Sequence, residues 1–436
     1  MKATTPTLLL LGGANPNAGL MCIDQARSRG LNIWLTDTEE NLEHAPEIVA
    51  AADEVTVLSY RDREACVAWS VEQAKTRPFI GVYGFREFAV ESVAAVAEAL
   101  GLPGNPLQNV FRVRNKLACR EALRAKGFRQ PAISLCSNVS EAQAFIEAHP
   151  DGPWILKPPA AMGSVGVSLV RDMAELEQAI AYLEESCGAL AQKFRQQGIQ
   201  EESLDHAANN SFLIECFQRG EEFSAEGVFV YGQPHVLTTT AKVTLGPPHY
   251  VEVGHSMPAE IEPGTLRTVK ETIEAALVAL GLKWGQFHVE FWLDDGQPVL
   301  GEVHVRPGGD FIHYMTQYVT GIELYGVVFD QMLGRPVNIN QYHPYQGAAI
   351  RFLTPPAGRV TAIHGWEQAM SDPRCLLAEL KLSVGDHIGT VYSSSDRHLF
   401  VLAGGATARE AVQHVERLAE MIQVQMQQET VDASYS

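Results

Sequence analysis

Positive charge is scarce in this chain. Its 436 residues carry 33 Lys and Arg against 52 Asp and Glu, a net charge of −19 with His neutral. That balance argues against nucleic acid or an anionic membrane as the main partner, because both want a basic face. A small anionic ligand stays open, since a local cluster of cations can reverse the sign. Long apolar runs are missing too. No stretch approaches the ~20 residues a spanning helix needs. Residues 8–11 are too short for a signal-peptide core and run straight into Gly12-Gly13. Cysteine is sparse: seven residues (22, 66, 119, 136, 187, 216 and 375), none in a CxxC pair. An odd, scattered set reads as reduced thiols filling cores in a cytoplasmic protein. Charged residues make up only 19% of the chain and hydrophobic ones 46%, which excludes a disordered chain and supplies two or three cores.

What is there begins as an α/β pattern. Residues 7–11, a Thr followed by four Leu, form an apolar run, the mark of a strand buried on both faces. A turn from Gly12 to Gly19, a helix over 20–29 closed by Gly30, and a strand over 32–36 follow, a βαβ opening that predicts a parallel sheet. Strands near 54–58 and 79–83 and helices near 62–76 and 86–100 continue it. The breaker cluster 102–106 marks a domain edge. A helix over 115–126 and a short strand over 154–157 follow. The polar stretch 192–210 reads as an insertion or mobile loop. Residues 211–215, 222–231 and 234–242 read as strands of one antiparallel sheet. A helix over 265–280 precedes two strands near 286–293 and 298–306, and a closing helix is expected over 408–425.

Those two strands carry the most chemistry. With period-two alternation, Phe287, Val289, Phe291 and Leu293 share an apolar face with Val299, Val303 and Val305. The other face carries His288, Glu290, Trp292, Glu302, His304 and Arg306. The Asp-Asp-Gly turn makes the strands antiparallel neighbours, with Glu290 opposite or diagonal to Glu302. Like charges so placed repel, and a hard divalent cation that also holds phosphates would offset them. The plain alternative is a solvated charged face. Arg306-Pro-Gly-Gly-Asp310 then offers a fixed cation and exposed backbone N–H groups.

Other segments have phosphate-binding character. Lys157 ends a strand and leads to Gly163-Ser164-Val165-Gly166, a turn able to fold over phosphates, though it is no Walker A loop. Lys116 opens a helix; on its own it reads as a surface lysine. The segment from Glu215 through Phe217 to Glu222 forms a strand–turn–strand hinge that can offer backbone groups and an aromatic ring to a purine and an acid to a ribose.

In this order the pieces resemble the ATP-grasp superfamily over residues of about 5 to 425. Within it the chain looks most like bacterial L-amino acid (dipeptide) ligases, through Glu252-x-x-His255-x-x-Pro258, Gly285-x-x-His288-x-Glu290, Arg306-Pro-Gly-Gly-Asp310 and Thr354-Pro-x-x-Gly358-Arg-Val. The resemblance implies an α/β fold of ATP-grasp architecture. It would comprise an N-terminal Rossmann-like domain (1–112), a central ATP-grasp domain of α+β subdomains (113–340) and a C-terminal α+β domain (341–436). It also implies that Lys116 and Lys157 hold ATP phosphates, that Gly163, Ser164 and Gly166 cover them, that Glu215 and Phe217 face adenine and that Glu222 meets the ribose. Glu290 and Glu302 would bind two Mg²⁺, with Mn²⁺ as a substitute. Arg306 would act on the transferring phosphoryl group, with Gly309 beside the substrate, and Glu252 and His255 would line an amino acid pocket, His255 being a candidate base. Many members have Asn where His304 stands. His can ligate but favours softer metals than Mg²⁺, so His304 joins the metal set without a firm role.

The expected activity is an ATP-dependent carboxylate–amine ligase acting on small molecules through an acyl phosphate, in a cytoplasmic homodimer. The alternatives are a purine-pathway or biotin-carboxylase-like enzyme using formate or bicarbonate, a nicotinamide-dependent oxidoreductase, and a non-catalytic nucleotide-binding scaffold. The turn Gly12-Gly13-Ala14-x-x-Asn17 misses the dinucleotide fingerprint because Asn17 occupies the place of the third glycine.

Overall fold

Thr7–Leu11 is a strand with all five residues buried. In the computed structural model, which describes residues 5–159, 165–196, 211–246, 250–339 and 346–427, it lies inside a four-stranded parallel sheet. The order is Glu54–Val57, Asn32–Asp37, Thr7–Leu11, Phe79–Tyr83. Its apolar run is continuous because its faces feed different cores. Leu8 and Leu10 pack with Ile23, Ala26 and Phe329, while Leu9 and Leu11 pack with Trp34, Val82 and Val96. Burying each leucine is worth roughly 2 kcal/mol. The strand must then turn sharply. Gly12 holds φ at +69°, which disfavours any side chain, and a Cβ there would crowd the Tyr60 ring at 3.0 Å.

The chain divides into two compact units that interleave along the sequence. The first comprises residues 1–130, 219–239 and 261–344; the second comprises 131–218, 240–260 and 345–436. The linear three-part reading, with edges at 112 and 340, does not anticipate this grouping. One of the crossings falls within a strand, Gln233–Thr244. Besides the parallel sheet, the first unit holds the antiparallel strands Glu221–Val230, Gln286–Asp294 and Gln297–His304, with the middle one paired to both others.

In the second unit, Ile133–Cys136, Phe212–Cys216, Trp154–Lys157 and Ser168–Val170 form an antiparallel sheet in that order. Phe212, Ile214, Leu156, Leu176 and Leu183 share its core. This corrects the expectation that 211–215 joins the strands that follow it in sequence. Phe212–Cys216 pairs instead with strands before it, which bury Phe212, Leu213 and Ile214. The helix Met173–Gln196 also extends into the stretch read as a loop from 192; residues 197–210 lie outside the described residues.

A second antiparallel group in this unit runs Glu252–Met257, Gly347–Leu353, Leu399–Gly405, Cys375–Leu380. The helix Ala408–Met421 contributes Ala411, Val415 and Leu418 to its core. That helix ends before the expected 425. Val424 and Met426 alternate on a strand, Gln423–Gln427, and pair with Ile363 and Val360. All seven cysteines are free thiols, five of them buried, as core filler should be. Among the described residues no helix is long and apolar enough to cross a membrane.

Candidate active site

Asp295 and Gly296 both hold positive φ, 50° and 71°, the signature of a two-residue hairpin turn that matches strand twist. It joins Gln286–Asp294 to Gln297–His304 with Asp294 opposite Gln297. The ladder runs to Phe291↔Leu300 and resumes at Val289↔Val303. Glu290 therefore faces two residues, Gly301 and Glu302: a β-bulge. Strict alternation had placed Val299 on the face of Phe291; the two-residue turn instead pairs Val299 with Trp292 and Leu300 with Phe291, and the bulge beyond them returns Val303 to the face of Val289. Both Val299 and Leu300 are buried.

Gly301 is required by packing, because a Cβ would lie 2.8 Å from the Trp292 ring. Gly301→Ala should destabilise the protein by about 1–3 kcal/mol through overpacking, read as a lowered melting temperature. An unchanged melting temperature would show that the indole yields freely.

The bulge gathers groups able to hold a metal ion. Carboxylate oxygens of Glu290 and Glu302 and a ring nitrogen of His304 lie within 4.8 Å of one another. Basic side chains neighbour Glu302 and the adjacent Glu87. Lys116 Nζ is 3.1 Å from Glu302. His304 presents Nε2 to Glu302 at 3.6 Å and Nδ1 to Glu87 at 3.1 Å. Arg306 donates from Nε to the same Glu87 at 2.5 Å and from Nη1 to the Pro307 carbonyl at 2.9 Å. Burial pushes the Glu87 carboxyl up, but Arg306, His304 and Arg114 outweigh it and hold the group well below the usual carboxylate range.

On the other strand, His288 sits 2.9 Å from Glu226 and 3.6 Å from Glu290. Burial alone would lower its pKa, yet the two carboxylates raise it to about 9. Glu226 is buried and accepts from the Ser224 hydroxyl at 2.6 Å. Past the hairpin, Asp310 and Phe311 both hold left-handed φ, 47° and 60°, a concentration of backbone strain of the kind found at functional sites. A side chain at Gly309 would meet nothing within 4 Å.

In the second unit, Lys157 ends its strand with Nζ 2.7 Å from Glu215, both groups buried. The Phe217 N–H donates to the Pro153 carbonyl at 3.0 Å, and its ring lies 6.2 Å from that of Tyr250. Gly166 holds a positive φ of 69°; Gly163 and Ser164 lie outside the described residues. Glu252 is 2.8 Å from Lys242 and 3.9 Å from the buried His255, and its carbonyl accepts from Arg397 at 2.9 Å.

The candidates thus fall into groups. Lys116, Glu290, Glu302, His304 and Arg306 meet in the first unit, where Glu222 stands opposite Trp292. Lys157 and Glu215 meet in the second, as do Glu252 and His255. Sequence reasoning missed Glu87, Glu226, Lys242 and Arg397. Only Glu87 carried a usable signal, lying just past the C-terminal end of a parallel strand, where open α/β sheets place ligand groups.

Family models identify the segments independently. Residues 23–104 match the ATP-grasp N-terminal domain, 151–313 the ATP-grasp domain, and 351–427 the L-amino acid ligase C-terminal domain 2. The chain is a member of the ATP-grasp superfamily. The solved L-amino acid ligase of Bacillus licheniformis has this ATP-grasp fold, with a TM-score of 0.76 at 22% identity, covering 98% of this chain and 100% of that one. The biotin carboxylase domain of a Hydrogenobacter thermophilus 2-oxoglutarate carboxylase, solved with MgADP, has a TM-score of 0.71 at 16% identity over 97% of this chain and 91% of that one. Carnosine synthase 1 of Mus musculus is 23% identical over 329 residues, 73% of this chain; the ATP-grasp chain described here spans 38% of that relative's length.

Proposed function

We propose that this ATP-grasp protein is an ATP-dependent carboxylate–amine ligase that joins an amino acid, or a related carboxylate, to the amine of an amino acid. The observation that carries the reading is the hairpin of Glu290, Glu302 and Arg306 in a chain whose residues 351–427 match an L-amino acid ligase domain. The purine-pathway and biotin-carboxylase-like alternatives share the fold, while the match of residues 351–427 is to an L-amino acid ligase domain.

A substrate carboxylate oxygen attacks the γ-phosphorus of ATP, the bond to the β-phosphate oxygen breaks, and ADP leaves. The amine lone pair then attacks the acyl carbon, the bond to phosphate breaks, and the amide forms as the amine loses a proton. Such phosphoryl transfer depends on positioning and charge. Arg306, braced on Glu87, is assigned to the transferring phosphoryl group; Lys116 and Lys157 to the ATP phosphates; Gly163, Ser164 and Gly166 to their cover. Glu215 and Phe217 are assigned to adenine and Glu222 to ribose. Glu252 and His255 are assigned to the amino acid pocket. They or a substrate phosphate take the amine proton. Two hard carboxylates braced by cations suit a divalent cation; Glu290 and Glu302 would hold Mg²⁺, or Mn²⁺ in its place, two ions being expected, to neutralise phosphate charge.

A screen of ADP release over pairs of L-amino acids with Mg²⁺-ATP tests the reading. The expected outcome is release that requires a particular pair, with the amide seen by mass spectrometry. Release driven by bicarbonate or formate, and indifferent to amino acids, would overturn it.

A further inference from the structure

The two metal-site strands repeat one arrangement. His288 and His304 stand opposite each other in the ladder, with ring centroids 5.6 Å apart. Each lies two residues from a glutamate on its own strand and so shares that glutamate's face. Each turns Nε2 toward it, His288 to Glu290 and His304 to Glu302, both at 3.6 Å. Each gives Nδ1 to a further, enclosed carboxylate from another element. For His288 this is Glu226, its direct partner across the neighbouring strand, at 2.9 Å. For His304 it is Glu87, from the segment after the parallel strand, at 3.1 Å. Glu226 is 2% exposed and His288 5%.

We propose that these two carboxylate–histidine pairs, Glu226–His288 and Glu87–His304, are positioning devices. They hold Glu290 and Glu302 in the rotamers that bind metal, and His304 is not itself a ligand. The inference rests on the metal assignment made above and deepens it. Two carboxylates at one bulge repel, and each has rotamers that swing it away. A ring fixed on one side by an enclosed acid offers the other nitrogen at a set point, which restrains the glutamate beside it. Outer-shell partners of this kind typically tune metal affinity 10- to 100-fold.

The test is direct binding of Mn²⁺ to the full chain in the presence of ADP, followed by electron paramagnetic resonance, with no amino acid present. His288→Asn keeps a donor near Glu226 and loses the one toward Glu290; Glu226→Gln keeps the shape and loses the charge. Both should weaken Mn²⁺ binding at least ~10-fold, with metal-free ADP binding unchanged. His288→Gln, whose amide reaches toward Glu290, should recover part of the loss. The spin-echo spectrum of bound Mn²⁺ should carry no coupling to a directly ligated nitrogen.

Mn²⁺ affinity within twofold of wild type in both His288→Asn and Glu226→Gln, with each variant folded by its melting curve, overturns the inference. So does a nitrogen coupling that vanishes in His304→Asn. Should His288→Asn not fold, Glu226→Gln carries the same measurement. Wild-type protein that binds no Mn²⁺ removes the site and the inference together. A failed amino acid screen with normal Mn²⁺ binding overturns only the ligase reading.

Discussion

Replacing Glu302 by Gln should leave the protein folded and reduce ADP release to background. The substitution keeps the side chain's volume and removes one charge. Glu302 sits at the bulge, within reach of Glu290 and His304 and 3.1 Å from Lys116. With its side chain 27% exposed, its charge contributes little to stability, as is usual for partly solvated pairs. Its proposed role as a metal ligand is different in kind. An amide oxygen is a neutral and much weaker ligand than a carboxylate for a hard cation, and phosphoryl transfer without that charge neutralisation loses its main source of stabilisation. The check pairs a melting curve with amino-acid-dependent ADP release. Near-normal release would sink the metal assignment.

Arg306→Ala should lower turnover at least ~10²-fold, the scale on which losing one preorganised charge-stabilising donor is felt. The guanidinium is held before any substrate arrives. Its Nε donates to Glu87 and one Nη to the Pro307 carbonyl, and its side chain is 12% exposed. That bracing is what makes the charge preorganised. The loss should fall on kcat more than on the KM for ATP, since charge on the transferring group grows toward the transition state. Arg306→Lys should recover only part, because an ammonium cannot reproduce a planar fork held at Nε. A change under threefold in Arg306→Ala would remove the residue from the chemistry.

Much of this site is legible along the chain because strands have a short, rigid period. Residues 288, 290 and 292 must share a face and Asp295-Gly296 must turn, which brings Glu290 and Glu302 onto neighbouring strands; the turn alone would set Glu302 opposite Val289, and the bulge moves it to face Glu290. The break in that period was not legible. Nothing in Leu300-Gly301-Glu302 announces a bulge until the Trp292 ring is seen where a Cβ at 301 would stand. The acids that brace the histidines were less legible still. Glu87 and Glu226 are 217 and 62 positions from the histidines they hold, and a lone glutamate in a sequence gives no sign of burial.

The sequence by itself determined the class of the protein and the local parts. Its apolar run and βαβ rhythm dictated a parallel sheet, its glycines the turns, and its alternating hairpin the set of candidate metal ligands, because each of these depends on neighbours within a few residues. Only the tertiary structure decided which strand joins which sheet, where the ladder slips by one residue, and which distant carboxylates brace His288, His304 and Arg306. Those outcomes depend on packing and desolvation between segments far apart in the chain. There the free energy belongs to the assembled neighbourhood and to no single stretch of residues.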